Sequence, residues 1–269
     1  MIRLFTRRAE VRRRPASIPA GMRVYVIGDI HGCVDLLSDL HERIVEDARS
    51  SRSEKRIIYL GDYIDRGLSS REVMETLLAG APAGMKATHL LGNHEAMLLE
   101  FLRDSSIGPE WIAYGGLATL LSYGVERNKE RGTAEEMLCL QRDLNEKLPT
   151  NHKRFLENLS EQLVIGDYFF AHAGVRPGIP LDQQKVADLI WIREEFLRSE
   201  DFHGKIIVHG HSYKTEPEVR PNRIGIDTGA YATGLLTCLV LEGASRRFLS
   251  KGFPSRGVRL FPQPRQSVN

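Results

Sequence analysis

Five short motifs rich in aspartate, asparagine and histidine are the part of this sequence best suited to chemistry. In chain order they are GDIHG at 28–32, GDYIDRG at 61–67, GNHE at 92–95, HAG at 172–174 and HGHS at 209–212. Their carboxylate, amide and imidazole groups suit Mn²⁺, Zn²⁺ or Fe ions rather than metals held by thiolates. Two ions about 3.5–4 Å apart, bridged by an aspartate, can hold a hydroxide and polarise a phosphoryl group. The motifs therefore indicate a metal centre that could hydrolyse a phosphate ester.

Each motif also has an explanation that involves no metal. GDIHG could be a turn with a capping aspartate, and GNHE could be a helix N-terminus capped by Asn93. His172 alone could be a buried histidine whose hydrogen bonds are satisfied by its neighbours. Taken together these explanations weaken, because each motif follows an expected strand in the same manner.

The elements expected around the first motifs alternate between strands and helices. Apolar runs predict strands at 23–27, 56–60 and 88–91, and helical spacing predicts helices at 34–48, about 70–79 and 95–103. This order implies a largely parallel sheet covered by helices. In such sheets, sites form beyond the carboxyl ends of the strands, which is where the motifs lie.

The second half of the chain predicts a further sheet. Residues 109–160 have mainly helical patterns, and a helix is also expected over 181–199. Strands are expected at 163–165, 168–171, 206–208, 224–226 and 235–241, with a tight turn at 166–167. We therefore expect an α/β fold in which two mixed sheets pack together and helices flank them.

Composition excludes several other classes of protein. The three cysteines among 269 residues, Cys33, Cys139 and Cys238, form no CxxC pair, which excludes a disulfide framework and suits a reducing cytoplasm. No apolar run reaches the length of a membrane span, and the N-terminal residues lack the apolar region of a secretory signal. No GxxxxGK[ST] motif is present, which excludes a P-loop kinase or NTPase.

The formal net charge of +2 conceals an uneven distribution. Residues 1–14 hold six arginines and one glutamate, and residues 243–269 hold six basic residues and no acidic one. The remaining body is therefore acidic. We expect basic tails at 1–20 and 244–269 around a catalytic domain at 21–243. The tails could make weak contacts with anionic partners, although no motif for specific nucleic-acid binding accompanies them.

The five motifs together resemble the blocks of the calcineurin-like metallophosphoesterases, and among them the phosphoprotein phosphatases of the small bacterial and phage lambda type. Trp111, Gly115, Gly116 and the segments WIRE (191–194) and DTGA (227–230) add to the resemblance, which spans residues 22–242. The family has a central sandwich of two sheets flanked by helices.

The resemblance also implies roles for individual residues. One ion would be held by Asp29, His31 and Asp62, and the second by Asp62 as a bridge with Asn93, His172 and His211. Within HGHS the family's block matches His211, so His209 becomes a neighbour. Tyr213 stands where the broader superfamily has another metal-binding histidine. Mn²⁺ is the expected ion, with Fe or Zn²⁺ as alternatives.

The same resemblance assigns the remaining chemistry. His94 would protonate the leaving alkoxide while Asp65 orients its imidazole, and a metal-bound hydroxide would attack phosphorus in line. Arg66 and Arg193 would bind the phosphoryl oxygens, because guanidinium groups donate paired hydrogen bonds. The alternative for Arg193 is a surface ion pair with one of the two glutamates that follow it.

Three functions remain open at this point. The first is a serine/threonine protein phosphatase, with phosphotyrosine as a further substrate, and the second is a symmetrical diadenosine tetraphosphate hydrolase. A non-catalytic relative is the third, but it predicts the loss of a ligand or of His94, and none is lost. The segments at 109–160 and 175–180 should distinguish the first two, since Arg176 could bind an extra phosphate or simply be exposed.

Overall fold

Two five-stranded β-sheets pack face to face, and helices cover their outer surfaces. The structure is a computed structural model that describes residues 15–126 and 132–250. Its strands are β1 Met22–Ile27, β2 Glu54–Tyr59, β3 Lys86–His89, β4 Gln162–Ile165, β5 Tyr168–Ala171, β6 Ile206–His209, β7 Glu218–Val219, β8 Arg223–Gly225, β9 Thr237–Glu242 and β10 Ser245–Ser250. The first sheet has the order β10-β9-β1-β2-β3, and the second β4-β5-β6-β8-β7. The expected sandwich of two mixed sheets is confirmed.

The first sheet brings three of the motifs to one edge. Strands β1, β2 and β3 are parallel, whereas β9 and β10 run antiparallel to them. Ile27 lies opposite Tyr59, and Tyr59 lies opposite His89, so the three parallel strands end at nearly the same level. The loops that carry GDIHG, GDYIDRG and GNHE therefore leave the sheet side by side.

The second sheet delivers the other two motifs. Strands β4 and β5 form the expected hairpin around residues 166–167, and β5, β6 and β8 are parallel. HAG follows β5, and HGHS includes the last residue of β6 and the turn after it. The short strand β7 pairs antiparallel to β8 at the edge of this sheet.

The side chains of β1 point alternately into two cores, one between the sheets and one beneath the helices. Val26 packs between the sheets with Phe170 and Val208, while Tyr25 and Ile27 face the helical layer. All five side chains are buried. Successive side chains of a strand point to opposite faces, so a strand that is buried on both sides needs apolar residues at nearly every position.

The helical layer covers the outer faces and supplies the loops around the site. The helices are α1 Val34–Ala48, α2 Ser70–Leu78, α3 Asn93–Phe101, α4 Gly108–Trp111, α5 Leu117–Ser122, α6 Ala134–Lys147, α7 Thr150–Glu157, α8 Val186–Trp191, α9 Glu194–Leu197 and α10 Ala230–Thr233. A π-helical turn, Ile112–Gly116, joins α4 to α5, and 3₁₀ turns lie at Pro82–Gly84, Ser105–Ile107 and Leu181–Gln183. None of these helices is long and apolar enough to cross a membrane.

The single helix expected over 181–199 is wrong, because the chain there forms a 3₁₀ turn followed by α8 and α9. Gln184 is extended, and its side chain accepts from the backbone N–H of Arg176 at 2.7 Å and donates to the Ile179 carbonyl at 2.9 Å. Arg193, with φ −130° and ψ −101°, then separates α8 from α9. The spacing of apolar residues along the sequence gives no information about these contacts between loops.

Several expected boundaries also move by a few residues, and two of these changes are notable. The third strand was expected at 88–91, but β3 ends at His89 and Leu90 makes only an isolated bridge to the second half of the chain. The C-terminal tail was expected from residue 244, but β10 pairs with β9 as far as Ser250. Residues 1–14 and 251–269, which carry most of the basic charge of the two ends, lie outside the described residues.

Candidate metal centre and phosphate site

The six expected metal ligands converge at one edge of the two sheets. The first sheet supplies Asp29 and His31 after β1 and Asp62 after β2, while Asn93 begins α3. The second sheet supplies His172 after β5 and His211 after β6. The structure buries all six side chains: Asp29, His31, Asp62, Asn93, His172 and His211. The edge where the parallel strands end is thus a polar cluster inside the protein.

Asp62 lies between two groups of potential ligand atoms. One group combines Asp62 with His31 and His94, and the other combines it with His172 and His211; within each group the ligand atoms lie within 4.8 Å of one another. Asp62 Oδ2 is 3.5 Å from His31 Nε2, and Asp62 Oδ1 is 3.3 Å from His172 Nε2. The two carboxylate oxygens therefore face different histidines, as a bridging ligand requires.

Two buried atoms of this cluster have no hydrogen-bond partner within the described part of the chain. They are Asp29 Oδ1 and His211 Nε2. The other Asp29 oxygen accepts from the backbone N–H of His211 at 2.9 Å, so the two residues are held together. An unpaired buried polar atom is costly, and bound cations, one at each atom, would remove this cost. The donor set of oxygen and imidazole nitrogen also fits a divalent transition-metal ion.

Backbone carbonyls orient two of the histidines. His31 Nδ1 lies 2.9 Å from the Ile64 carbonyl, and His172 Nδ1 lies 2.9 Å from the Leu60 carbonyl. A carbonyl can only accept, so each Nδ1 carries a proton, and each Nε2 faces the cluster. In known metal sites, the ring nitrogen that does not bind the metal is held by a hydrogen bond of this kind. His172 Nε2 also lies 3.0 Å from Asn93 Oδ1, which brings Asn93 into the group.

The backbone at the site adopts conformations that side chains normally avoid. Positive φ angles occur at His31 (45°), Asp62 (51°), Asp65 (70°), Arg66 (67°) and His211 (60°). Among the described non-glycine residues the only other case is Ala83 in a 3₁₀ turn. Such angles cost about 1–3 kcal/mol each and persist where the surrounding structure enforces them, often at functional sites.

Two glycines leave room for the carboxylates. A Cβ at Gly210 would lie 2.0 Å from Asp29 Oδ1, and a Cβ at Gly92 would lie 2.3 Å from Asp62 Oδ1. The glycines in the HGHS and GNHE motifs are therefore required by close approach of the ligands. The backbone at these two positions forms part of the wall of the cluster.

Glu95 connects the second and third motifs, a role that the sequence did not reveal. Its carboxylate accepts from the backbone N–H groups of Asp62 at 2.9 Å, Tyr63 at 2.7 Å and Gly92 at 3.1 Å. Burial and the nearby charge of Asp62 raise the pKa of Glu95 to about 7. The sequence signal was the glutamate of GNHE in the first turn of α3, but two of its partners, Asp62 and Tyr63, lie about 30 residues earlier.

Several buried carboxylates and imidazoles lie close together in the cluster and shift one another's pKa values. Burial and the neighbouring Asp227 raise the pKa of Asp29. Burial opposes ionisation of Asp62, but His172 and His94 outweigh it and hold the pKa of Asp62 well below its usual range. Burial also opposes protonation of His172, yet Asp62 raises the pKa of His172 to about 9. Closely spaced buried carboxylates require compensating positive charge, which divalent ions would supply.

Asp227 is a second residue whose place the sequence did not reveal. It belongs to the DTGA segment, it is buried, and its Oδ1 accepts from the backbone N–H of Gly229 at 2.9 Å. Burial raises its pKa, and Asp62 adds to the effect. It therefore adds a third carboxylate to the region of Asp29 and Asp62.

His94 and Asp65 form a buried pair beside the cluster. His94 Nδ1 lies 2.6 Å from Asp65 Oδ2, which also accepts from Trp111 Nε1 at 2.9 Å. Asp65 Oδ1 accepts from the Thr119 hydroxyl at 2.6 Å. Burial lowers the pKa of His94, but Asp62 and Asp65 outweigh it, so the net effect is a raised pKa. The pair is thus arranged to hold a proton on an imidazole next to the cluster.

The two expected phosphate-binding arginines lie in different surroundings. Arg66 is at the cluster, with one guanidinium nitrogen 3.3 Å from His94 Nε2. Arg193 is exposed. Burial and the charge of His172 are the main causes that lower the pKa of His211 to about 2, and the charge of Arg193 adds to this effect. The glutamates that were its alternative partners pair elsewhere, Glu194 with Arg198 and Glu195 with Arg176.

His209 lies apart from the two ligand groups. Its ring packs edge-on against Phe196 with centroids 5.1 Å apart, and its Nδ1 lies 3.0 Å from the Gly210 carbonyl. Burial lowers the pKa of His209 to about 4. The structure thus places His211, rather than His209, with Asp62 and His172.

Arg176 is engaged with acidic side chains. Its guanidinium binds Asp188 at 2.6 Å and also pairs with Glu195. Two carboxylates therefore neutralise this arginine in the loop at 175–180, although it remains exposed.

Comparisons with known proteins agree with this architecture. The chain is 30% identical over 226 residues to serine/threonine-protein phosphatase 2 of Salmonella typhimurium, covering 80% of this chain and 90% of that protein. It is 26% identical over 239 residues to the asymmetrical bis(5'-nucleosyl)-tetraphosphatase PrpE of Bacillus mycoides, covering 81% and 90%.

Solved structures share the fold. A proposed diadenosine tetraphosphatase superposes with a TM-score of 0.59 at 23% identity, covering 86% of this chain and 95% of the other. A cold-active protein tyrosine phosphatase superposes with a TM-score of 0.56 at 18% identity, covering 86% and 78%. The model of the calcineurin-like phosphoesterases matches residues 22–232. The chain therefore belongs to the calcineurin-like phosphoesterase family and is a hydrolase of that family.

Proposed function

We propose that this protein is a phosphomonoester hydrolase that uses two divalent ions, most simply Mn²⁺, to dephosphorylate phosphoserine and phosphothreonine in proteins. The observation that carries this proposal is the position of Asp62, whose two oxygens face two different groups of histidines. A carboxylate in this position can bridge a pair of ions.

The ligands divide between the two sides of Asp62. Asp29 and His31 would hold one ion, and Asn93, His172 and His211 would hold the other. Bound there, the ions would polarise the phosphoryl group and activate the attacking water. Glu95 holds the backbone of the Asp62 loop in place, because it accepts hydrogen bonds from successive N–H groups of that loop.

His94 would act as the acid that protonates the leaving oxygen. An alkoxide of serine or threonine leaves slowly unless it receives a proton as the bond to phosphorus breaks. Asp65 holds the proton on Nδ1 of His94 and stabilises the imidazolium, so Nε2 is free to donate. Arg66, which already reaches Nε2, would exchange this contact for oxygens of the bound phosphoryl group.

Arg193 would bind the phosphoryl group from the side of His211. Its charge contributes to the lowered pKa of His211, which supports a position near the second ligand group. The break between α8 and α9 falls at this residue. We assign it the second guanidinium contact to phosphate, opposite Arg66.

Hydrolysis of a dinucleoside polyphosphate is the second candidate. It is supported by the similarity to the tetraphosphatase of Bacillus mycoides, which is named as an asymmetrical enzyme, whereas the hypothesis from the sequence was a symmetrical one. Substrates of that class carry additional phosphates that need cations outside the metal centre. Arg176, the residue considered for that task, is already paired with Asp188 and Glu195, which favours a phosphomonoester.

A direct comparison of kcat/KM tests the proposal. The full chain with added Mn²⁺ is assayed on a phosphoserine peptide, a phosphothreonine peptide, a phosphotyrosine peptide and diadenosine tetraphosphate. We expect the phosphoserine or phosphothreonine peptide to exceed the dinucleotide by at least about tenfold, which corresponds to about 1.4 kcal/mol. A higher value for diadenosine tetraphosphate would contradict the proposal. Asp62→Asn serves as the control that the activity arises at this site.

A further inference from the structure

Tyr231 lies at the edge of the site with its ring against two of the site residues. It belongs to α10, just after the DTGA segment, and 46% of its surface is exposed. Its ring meets the His31 ring edge-on, with centroids 5.4 Å apart. The guanidinium carbon of Arg66 lies 4.8 Å from the centroid of the same ring.

Arg66 has few other restraints on its side chain. Its backbone N–H donates to the Gly115 carbonyl at 3.2 Å, which fixes the main chain in its left-handed conformation. Beyond the backbone, Nε is 3.5 Å from the Tyr114 carbonyl, and one terminal nitrogen is 3.3 Å from His94 Nε2. Both contacts are long, and a bound phosphoryl group would replace the contact between Arg66 and His94. An arginine has a large side-chain entropy to lose when it is held in one orientation.

We infer that Tyr231 is a positioning residue that holds the Arg66 guanidinium in its phosphate-binding orientation. A cation over an aromatic ring is attracted by the electron-rich face. The N–H groups of a guanidinium lie in its own plane, so contact with a ring leaves them free to donate to phosphate. Tyr231 thus reduces the entropy that Arg66 loses on binding without competing for its donors. The inference rests on the proposed role of Arg66.

The aromatic ring, rather than the hydroxyl group, carries this role. Tyr231→Phe should therefore bind phosphate like the unmodified protein, whereas Tyr231→Leu should not. Phe202→Leu is the matched control, because Phe202 is also 46% exposed. Phe202 precedes β6 whereas His211 follows it, so the two residues lie at opposite ends of that strand.

The test is the Kd of inorganic phosphate for the full chain loaded with Mn²⁺, measured by titration calorimetry. Tyr231→Leu should raise this Kd about 2- to 5-fold, the range of a solvent-accessible cation–π contact. The KM for p-nitrophenyl phosphate should rise by a similar factor while kcat changes less. In an Arg66→Ala background, Tyr231→Leu should have no further effect on the Kd, because the group that it positions is gone.

The results separate this inference from the proposed function. If Arg66→Ala weakens phosphate binding but Tyr231→Leu does not, or weakens it equally with and without Arg66, the inference is overturned and the proposed function stands. If Arg66→Ala leaves the phosphate Kd unchanged, the phosphate-binding role of Arg66 fails, and the inference fails with it. Should Tyr231→Leu not fold, Tyr231→Met is measured in its place under the same criteria.

Discussion

Asp65 receives three side-chain hydrogen bonds behind the site, and its replacement by asparagine isolates the effect of its charge. His94 and Trp111 donate to Oδ2, and Thr119 donates to Oδ1. In Asp65→Asn, the amide oxygen can keep the contacts with His94 and Trp111, and the NH₂ group can face Thr119. The Thr119 hydroxyl can rotate to accept from it. The fold should therefore tolerate the change, while the imidazole of His94 loses its charged partner.

The size of the effect follows from the difference between two kinds of hydrogen bond. A bond to a charged group contributes about 1.5–3 kcal/mol, whereas a neutral one contributes about 0.5–1.5 kcal/mol. The imidazolium form of His94 should thus lose about 1–2 kcal/mol of stabilisation, which lowers its pKa by about one unit. If His94 protonates the leaving group, the same loss depletes its protonated form and slows the reaction by about 5- to 30-fold when the assay pH lies above the pKa of His94.

The assay compares kcat/KM for phenyl phosphate and p-nitrophenyl phosphate, which differ mainly in the basicity of the leaving group. We expect Asp65→Asn to show the full loss with phenyl phosphate and a much smaller loss with p-nitrophenyl phosphate, whose leaving group needs little protonation. Trp111→Phe removes one donor to Asp65 but keeps the charge, so it is the control and should discriminate little between the substrates. An equal loss with both substrates in Asp65→Asn would refute the acid role of His94.

Two further predictions concern ligand choice and stability. His211→Ala should lower the affinity for Mn²⁺ by at least about tenfold, whereas His209→Gln should bind Mn²⁺ normally, as titration calorimetry can show; the opposite pattern would exchange their roles. Asp47→Asn should lower the free energy of unfolding at pH 7 by about 1–3 kcal/mol, because Asp47 is hydrogen-bonded to Arg23 and Arg247. Burial opposes the shift, but Arg247 and the other partners of Asp47 lower the pKa of Asp47 below 3.8. The stabilisation that Asp47 provides is therefore present above about pH 4 and is lost as pH falls through this lowered pKa. Denaturant unfolding should show that the difference in free energy of unfolding between Asp47→Asn and the unmodified protein narrows toward pH 3. A difference that stays constant with pH would contradict this account.

The convergence of the five motifs could be anticipated because it depends on a general property of parallel strands. Residues that follow such strands emerge at one edge, so Asp29 after β1 and Asp62 after β2 had to lie near each other. The same property places His172 and His211 together after the parallel strands β5 and β6, although the sequence predicted only a mixed sheet there. The distances between the ligand atoms could not be anticipated, because they depend on how the two sheets pack against each other.

Residues that act through distant partners were not evident. The carboxylate of Glu95 reaches the backbone of the Asp62 loop, and nothing in the local pattern of GNHE distinguishes this from an exposed first turn. Tyr231 similarly meets Arg66 only because the loop after β8 folds back over the first sheet. Pairs of this kind are set by tertiary structure, which a single sequence does not record.

The broken helix between residues 181 and 199 has a comparable cause. Its apolar residues Leu189, Ile190 and Phe196 are buried as a helix would bury them, so the spacing favoured one continuous element. Gln184 instead bonds to the loop before it, and Arg193 leaves the helical conformation. Contacts between loops thus overrode a local preference that is worth less than 1 kcal/mol per residue.

The central claim is that two divalent ions share Asp62, and counting bound ions tests it most directly. The full chain is chelated exhaustively, reloaded with Mn²⁺, freed of unbound metal, and analysed for Mn²⁺ per chain together with hydrolysis of p-nitrophenyl phosphate. The account predicts two ions per chain, activity lost on chelation and restored by Mn²⁺, and at most one tightly bound ion in Asp62→Asn. Asp143→Asn, which changes a carboxylate paired only with Arg142 among the described contacts, should behave as the unmodified protein does. Full activity after chelation, or two tightly bound ions in Asp62→Asn, would contradict the claim.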